Sequence, residues 1–298
     1  MHLALFYRGD EDYLDGVMSF VEPALSAGEP VAAAVPPARG ELLSEQLGGE
    51  EIEILDMFEL GRNPARIIPA VEKMIASHEG TRLHYVGEPI WPGRTEEEVR
   101  EAVKHEALIN LAWPGAPIRV LCPYDTEALD SAVLADAERT HPRVIRDGEA
   151  LDSAAYHGPA VPAGCDQQLL APPPEAQSMM FGVQDLFRIR RLVSERAAAA
   201  GMSRDRAADL VLAVDELATN AIRHGSGGGI VHVWNKPGRM VCEVRDRGRI
   251  RDPLAGRRAP VPGVPGGLGL WTVNQLCDLV EVRTGDAGTT VRVHAVLN

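Results

Sequence analysis

The sequence predicts two domains of different class: an α/β domain with a mostly parallel sheet, followed by an α+β sandwich. Three observations predict it. Strand-like and helix-like segments alternate singly from residue 3 to residue 137. A stretch rich in proline and glycine, 158–178, then shows no periodic apolar face. Beyond it, two long amphipathic helices precede a group of hairpin-forming strands. Single alternation places helices on both faces of a parallel sheet, whereas helices grouped beside hairpins cover an antiparallel one. A chain of 298 residues has room for both.

Residues 3–7 are the first strand candidate. Residues 10–27 read as a helix that opens on Asp10, Glu11 and Asp12 and stops at Gly28. A small-residue strand at 30–35, a helix at 41–47, a strand at 51–55, a helix at 64–78 and a strand at 82–86 follow. Residues 95–111 form a helix whose Thr95 and Glu98 have the spacing of a capping box. Residues 118–122 are a strand and 125–137 a helix, with Tyr124-Asp125 at its cap. From about Leu151 the pattern ends. His157-Gly158-Pro159-Ala160-Val161-Pro162-Ala163-Gly164 and Ala171-Pro172-Pro173-Pro174 read as a linker, semi-rigid at the proline run.

The pattern then resumes in a different order. Leu186, Ile189, Val193 and Ala197 recur at helical spacing and predict a helix over 183–200. Ser203 caps a second helix, 203–224, stopped at Gly225. Strands are expected at 230–235, 239–246, 279–284 and 289–297, with hairpin turns at 235–238 and 285–288. A helix at 268–277 separates the second strand from the third.

Composition narrows the function. The longest apolar stretches are far too short to cross a membrane. The start of the chain lacks a basic region followed by an apolar core, so no secretory signal is read there. Cys122, Cys165, Cys242 and Cys277 are widely spaced, which suggests neither a zinc knuckle nor a disulfide framework. A cytoplasmic location is the expectation. Residues 1–165 carry 13 Lys and Arg against 29 Asp and Glu, a net −16; residues 166–298 carry 17 against 14, a net +3. The first half repels nucleic acid, so no direct nucleic-acid partner and no membrane are expected. An arginine cluster, Arg245, Arg247, Arg249, Arg251, Arg257 and Arg258, flanks a glycine loop; it suits either a solvated loop or a phosphate or acidic-protein contact.

The chemistry concentrates in the last third. Glu216 and Asn220 are four apart on a helix and project from one face. An Asn220 amide oxygen could ligate Mg²⁺, which favours hard oxygen donors. A Glu216 carboxylate could serve as general base. Asp246, ending a strand before Arg247-Gly248, is an acceptor suited to the exocyclic amine of adenine. Gly266, Gly267 and Gly269 permit close backbone approach to phosphate at the N-terminus of a helix. Thr289 could supply a hydroxyl near the base. Each piece alone is commonly a solvated helix face, a turn or a flexible loop; the order in which they occur together points to a nucleotide site.

Residues 179–298 resemble the GHKL (HATPase) ATPase fold, and within it the anti-sigma-factor serine kinase branch. Glu216-Leu217-Ala218-Thr219-Asn220-Ala221, Asp246-Arg247-Gly248, Gly266-Gly267-Leu268-Gly269-Leu270 and Gly288-Thr289-Thr290 match that family's boxes in order. The resemblance implies an ATP- and Mg-binding protein that sequesters a sigma factor and is released by a STAS-domain anti-anti-sigma factor. Some members phosphorylate that factor on Ser or Thr, and relatives often form homodimers. By carry-over Glu216 would be the base, Asn220 the Mg²⁺ ligand and Asp246 the adenine reader. One departure stands out: where the family has a second glycine after Gly248, this chain has Ile250, and a β-branched residue does not readily take positive φ. Ile250 therefore favours an alternative, a non-catalytic partner-binding switch with a degenerate pocket. Residues 251–265 would form the lid, as a loop. No dimerising helix pair with a phosphoacceptor histidine precedes the domain, which makes a sensor kinase component of phosphorelay signalling the remotest reading.

Residues 1–157 contain no GxxxxGK[ST]. They resemble the MEDS sensory domain of bacterial regulators at Tyr7-Arg8, Gly87-Glu88-Pro89, Glu106 with Asn110, Cys122-Pro123-Tyr124-Asp125 and His141-Pro142. That implies a RecA-like fold without nucleotide hydrolysis, acting as a sensor. The expected organisation is a sensory domain at 1–157, a linker at 158–178 and the ATPase-like domain at 179–298. A small-molecule pocket around Tyr7, Glu88, Cys122 and Tyr124 is expected at the strand ends. For a metal held by Cys122, His84 and His141, the spacing gives no support.

Overall fold

The computed structural model describes residues 1–49, 52–159, 161, 165–261, 263 and 266–297. The chain divides into two compact units, Met1–Cys165 and Asp166–Asn298.

The first unit is built on a seven-stranded sheet. Its strands are β1 (His2–Tyr7), β2 (Val31–Val35), β3 (Glu53–Asp56), β4 (Leu83–Gly87), β5 (Ile118–Asp125), β6 (Arg143–Arg146) and β7 (Glu149–Asp152), in the order β3-β2-β4-β5-β1-β6-β7. All pairings are parallel except β6 with β7. One face is covered by α1 (Gly9–Ser26) and α2 (Pro37–Leu47), which bury Tyr13, Val17, Phe20 and Leu43 against Leu3, Leu5 and Tyr7. The other face is covered by α3 (Met57–Leu60), α4 (Ile67–Ser77), α5 (Glu96–Ala112) and α6 (Ser131–Thr140), packed on Ala4, Phe6, Val120, Cys122 and Tyr124. Successive residues of a strand point to opposite faces, so the two cores divide β1 and β5 residue by residue.

Two expectations for this unit are corrected. Asp125 ends β5, and its Oδ1 accepts from the N–H groups of Glu127 and Ala128, so it caps a turn and not a helix; α6 begins six residues later, at Ser131. The hairpin β6–β7 was not foreseen, because Glu149–Asp152 is exposed throughout and shows no apolar alternation. The expected strand start at Glu51 lies outside the described residues. The capping box of α5 is present in both directions: Glu98 N–H donates to Thr95 Oγ1 at 3.4 Å, and Thr95 N–H to Glu98 Oε2 at 2.8 Å.

In the second unit, α7 (Leu186–Ala199), α8 (Arg204–His224) and α9 (Leu268–Leu276) cover one face of an antiparallel sheet. The strands are β8 (Gln177–Gly182), β9 (Gly228–Lys236), β10 (Arg239–Asp246), β11 (Leu279–Gly285) and β12 (Gly288–Val296), in the order β11-β12-β10-β9-β8. The helix face of the sheet is apolar: Val231, Val233, Cys242, Val244, Val291 and Val293. The opposite face carries Glu243, Glu281, Arg292 and His294, all buried. There Arg292 donates to Glu243 from Nε and Nη2 at 2.9 and 2.6 Å, and His294 Nε2 lies 3.0 Å from Glu281 Oε2.

Strand β8 falls partly within the stretch expected to be a linker. It is an edge strand on which only Phe181 is buried, so its sequence carries no alternation to read. The helix expected from 183 begins with a 3-10 turn, Val183–Asp185. Within the expected linker, Cys165 is buried in the core of the first unit, while residues 160 and 162–164 lie outside the described residues.

Replacing Thr95 by Ala removes one arm of the capping box. The expected result is a loss of about 1 kcal/mol, read as a lower denaturation midpoint of the full chain; an unchanged midpoint would show that the cap does not limit α5.

Candidate nucleotide site

The cavity of interest lies in the second unit between α8, the ends of β10 and β12, and the segment leading into α9. It measures about 570 Å³, within the range of roughly 300–1,000 Å³ usual for ligand pockets. Leu217, Val244, Leu270 and Val291 give it an apolar wall, and Asn220, His224, Asp246 and Thr289 place polar groups around it.

Helix α8 supplies the first group. Asp215 and Glu216 are neighbours in sequence but part company on the helix. Asp215 accepts from Arg190 Nε and Nη2 at 2.7 and 3.0 Å, which ties α8 to α7. Glu216 and Asn220 face α9 instead. A Cβ built on Gly269 would stand 2.9 Å from both Glu216 Oε2 and Asn220 Nδ2, so a larger residue at the start of α9 would push this pair aside. Gly267 caps α9 in the left-handed region at φ +80°, with Gly266 at φ +96°. The backbone N–H groups of the first turn of α9 are thereby presented beside Asn220.

The strand ends supply the second group. Burial raises the pKa of Asp246 above the usual carboxylate value, against the opposing pull of the Gly248 N–H and of His224. Gly248 N–H donates to Asp246 Oδ1. Thr289 donates to Gly248 O at 2.9 Å, and Thr284 Oγ1 lies 3.0 Å from Thr289 Oγ1. Ile250 completes the chain, donating its N–H to Thr284 Oγ1 at 3.0 Å. Among the described residues Asp147 is the only one besides glycine with positive φ, so Ile250 needs no left-handed backbone. Ile250 lines the cavity.

The expected lid is a loop in its described part. Leu254 is buried, its N–H held by Asp252 Oδ1 at 2.9 Å, and Asn274 Nδ2 of α9 donates to Gly256 O at 2.9 Å. Residues 262, 264 and 265 lie outside the described residues. The arginine cluster does not act as one patch: Arg245 pairs with Glu243 on the far face of the sheet, Arg249 with Asp286, and Arg258 lines the cavity. The contributions of His224, Thr284 and Asn274 were not read from the sequence, since none lies in a motif.

Residues 1–142 match the family model described as the MEthanogen/methylotroph, DcmR Sensory domain (MEDS), and residues 183–295 match that of the histidine kinase-like ATPase domain. The chain carries a MEDS domain followed by a histidine kinase-like ATPase domain. No curated protein matches it. Among solved structures, it is similar to the RsbU and RsbW domains of Rv1364c from Mycobacterium tuberculosis, at 22% identity and a TM-score of 0.32 over 42% of this chain and 32% of that one. The chain thus spans about a third of the length of that structure.

In the MEDS domain, the residues expected to share a pocket separate. Tyr7 and Glu88 meet at the carboxyl ends of β1 and β4, with Tyr7 Oη donating to Glu88 Oε1 at 3.0 Å. Arg39 lies over the Tyr7 and Tyr13 rings, 5.1 and 4.6 Å from their centroids, and pairs with Asp10. Cys122 and Tyr124 point to the opposite face of the sheet. There Cys122 Sγ donates to Glu106 Oε2 at 3.3 Å, and the Tyr124 ring meets His141 edge-on. The physical reason is the pleat: β1 pairs with β5 so that Ala4, not Tyr7 or Leu5, lies beside Cys122. His84 pairs with Glu29 instead, away from Cys122 and His141.

Burial pushes the Glu88 pKa from 4.5 up to about 8, although Tyr7 and Arg39 oppose the shift. Between those values the unfolded chain has released the proton while the folded chain keeps it, so stability falls as pH rises through this window. Glu88→Gln is expected to gain stability over the parent by a margin that grows with pH up to about 8, measured as the difference in Tm. A margin independent of pH would mean Glu88 is ionised in the fold. At the nucleotide site, Gly269→Ala is expected to weaken Mg-ATP binding at least tenfold, about 1.4 kcal/mol, in calorimetry with an unchanged circular dichroism spectrum. Unaltered affinity would place the phosphates elsewhere.

Proposed function

We propose that the chain is an ATP-dependent anti-sigma regulator. On this reading its ATPase domain binds Mg-ATP and sequesters a sigma factor, is released from it by a STAS-domain anti-anti-sigma partner, and phosphorylates that partner on Ser or Thr. The observation that carries the nucleotide part is the convergence of Asn220, of Asp246 and Thr289, and of Gly266, Gly267 and Gly269 on one cavity, with Glu216 beside Asn220 where α9 begins.

The residues present fit such a ligand. Gly269 packs directly on Glu216 and Asn220, so a side chain there would displace the pair proposed to serve the phosphates. Asn220 offers a neutral hard oxygen for Mg²⁺, Asp246 a half-buried acceptor for the adenine amine, and Leu217, Val244 and Val291 a surface for a flat ring. Bound ATP would supply the phosphoryl group. Glu216, one turn before Asn220, would accept the proton of the attacking Ser or Thr hydroxyl. Helix α7 contains no histidine, which argues against a phosphorelay kinase. Exposed Met180, Val183 and Phe187, where β8 runs into α7, offer apolar surface for a protein partner or a second copy of the chain. The MEDS domain is proposed to receive the signal, with Tyr7 and Glu88 at the carboxyl ends of its strands, where ligands bind in open α/β sheets.

The first test is calorimetric titration of Mg-ATP into the full chain and into Asn220→Ala. Micromolar binding that the substitution abolishes supports the site, and phosphate transfer to a STAS partner, lost in the same variant, supports the kinase. No heat with the parent chain and no competition by ADP would overturn the ATP reading and leave a partner-binding switch.

A further inference from the structure

Four chemistry-bearing side chains meet in the MEDS domain on the face of the sheet opposite Tyr7 and Glu88. His2 comes from the start of β1, Glu106 from α5, Cys122 from β5 and His141 from the end of α6. All are at most 5% exposed, and one ligand-type atom from each lies within 4.8 Å of the other three. His2 Nε2 is 3.0 Å from Glu106 Oε2 and 3.4 Å from Cys122 Sγ; Glu106 Oε2 is 3.3 Å from both Cys122 Sγ and His141 Nε2.

The surroundings fix which atoms of the two imidazoles face inward. Asn110 donates its amide N–H to Thr140 O at 2.8 Å, which turns its oxygen toward His2 Nδ1, 3.2 Å away. That oxygen accepts only, so His2 Nδ1 carries the hydrogen. His141 Nδ1 lies 2.8 Å from the carbonyl of Ala137 and carries its hydrogen for the same reason. In the neutral form both rings then aim the Nε2 lone pair at the Glu106 carboxylate. Three acceptors converge, and the Cys122 thiol is the single donor among the four. Glu106 Oε1 has no hydrogen-bond partner among the described residues. Lone pairs opposed in a buried space are unfavourable unless a cation lies between them.

Protons alone are a poor answer. One imidazolium would pair with Glu106 but leave the other ring's lone pair facing the same carboxylate, and imidazoliums on both rings, whose centroids are 3.9 Å apart, would place like charges together in the core. A divalent cation balances the set instead, since carboxylate and thiolate supply two negative charges and the two imidazoles none. The spacing is close to that of such a site: a tetrahedral zinc with bonds of about 2.0 Å to nitrogen and oxygen and 2.3 Å to sulfur has edges of about 3.3–3.6 Å, against 3.0–3.4 Å for the four edges given above and at most 4.8 Å for the rest. The contacts to Asn110 and Ala137 are those that ordinarily orient metal-bound histidines.

We propose that His2, Glu106, Cys122 and His141 form a closed tetrahedral site for one zinc-class divalent cation. Mixed nitrogen, sulfur and oxygen donors suit zinc over magnesium or calcium. Four protein ligands leave no open position, which assigns the ion a structural or sensing part and not a catalytic one. The ion would tie β1, β5 and α5 to the segment entering β6.

The test uses the full chain without a polyhistidine tag, kept reduced. Elemental analysis is expected to find one zinc per chain. Stripping with a chelator should lower Tm, and equimolar zinc should restore it. Cobalt(II) added to the stripped chain should give the d–d bands of tetrahedral cobalt and a thiolate-to-cobalt charge-transfer band. Cys122→Ser should lose the charge-transfer band, while His157→Gln, outside the quartet, should keep it. Absence of zinc, of a Tm response and of cobalt bands in the parent chain would overturn the proposal, and this arm does not depend on any variant folding. A charge-transfer band that survives in Cys122→Ser would overturn it too.

Discussion

The pleat of the paired strands β1 and β5 governs what the MEDS domain can assemble. These strands lie at the centre of the sheet, and both of their faces are buried. Alternation sends His2, Ala4 and Phe6 one way and Leu3, Leu5 and Tyr7 the other. A slip of one residue would exchange the two sets, drive His2 into the α1 layer and pull Tyr7 away from Glu88. The pairing therefore holds two separate polar clusters in one apolar core, and each stays intact only while the register holds. The same alternation along β10 and β12 keeps Val244 and Val291 under the helices of the ATPase domain while Glu243 and Arg292 meet on the reverse.

Both domains bury charge, and its balance depends on where in the sheet it lies. On the reverse of the ATPase sheet each buried carboxylate has a cationic or imidazole partner within hydrogen-bonding distance, which offsets desolvation without implying a large net gain. Near the strand ends the balance is left incomplete. Glu88 has one phenol donor and a raised pKa, and Asp246 has one backbone N–H and a raised pKa. A carboxylate short of donors is prepared to accept them from something that arrives, and perturbed acids of this kind gather at functional sites.

The sequence disclosed those features that are local in the chain. The Thr95–Glu98 box, the i,i+4 pair Glu216 and Asn220, and the helix stopped at Gly225 are set by residues within a few positions of one another. The glycines before α9 were legible for the same reason, because a positive φ and a close approach leave few other residues suitable. Features that depend on distant strands were hidden. Whether Cys122 shares a face with Tyr7 is decided by the register of β1 on β5, which no single segment carries. His2 and Cys122 are 120 residues apart, and His2 stands in no motif. Strand β8 was hidden for another reason: an edge strand with one buried residue has no pattern to display. Ile250 shows the converse, a departure from a motif that the local backbone absorbs through Thr284.

The stretch ahead of β8 is not idle tether. Arg283 donates to the carbonyl of Gln167 at 3.0 Å, and Arg292 donates to that of Leu170 at 2.5 Å while also holding Glu243. Residues 167–170 thus lie as a strap across the back of β11 and β12, fastened through main-chain carbonyls, although Leu170 itself is exposed. A strap bound in this way depends on its path more than on its exposed side chains. Those side chains can vary, but a deletion or insertion there would shift the carbonyls off two guanidinium groups. A fragment cut at 179, where the amino-acid pattern alone suggests a boundary, would discard the strap and the first two residues of the edge strand together.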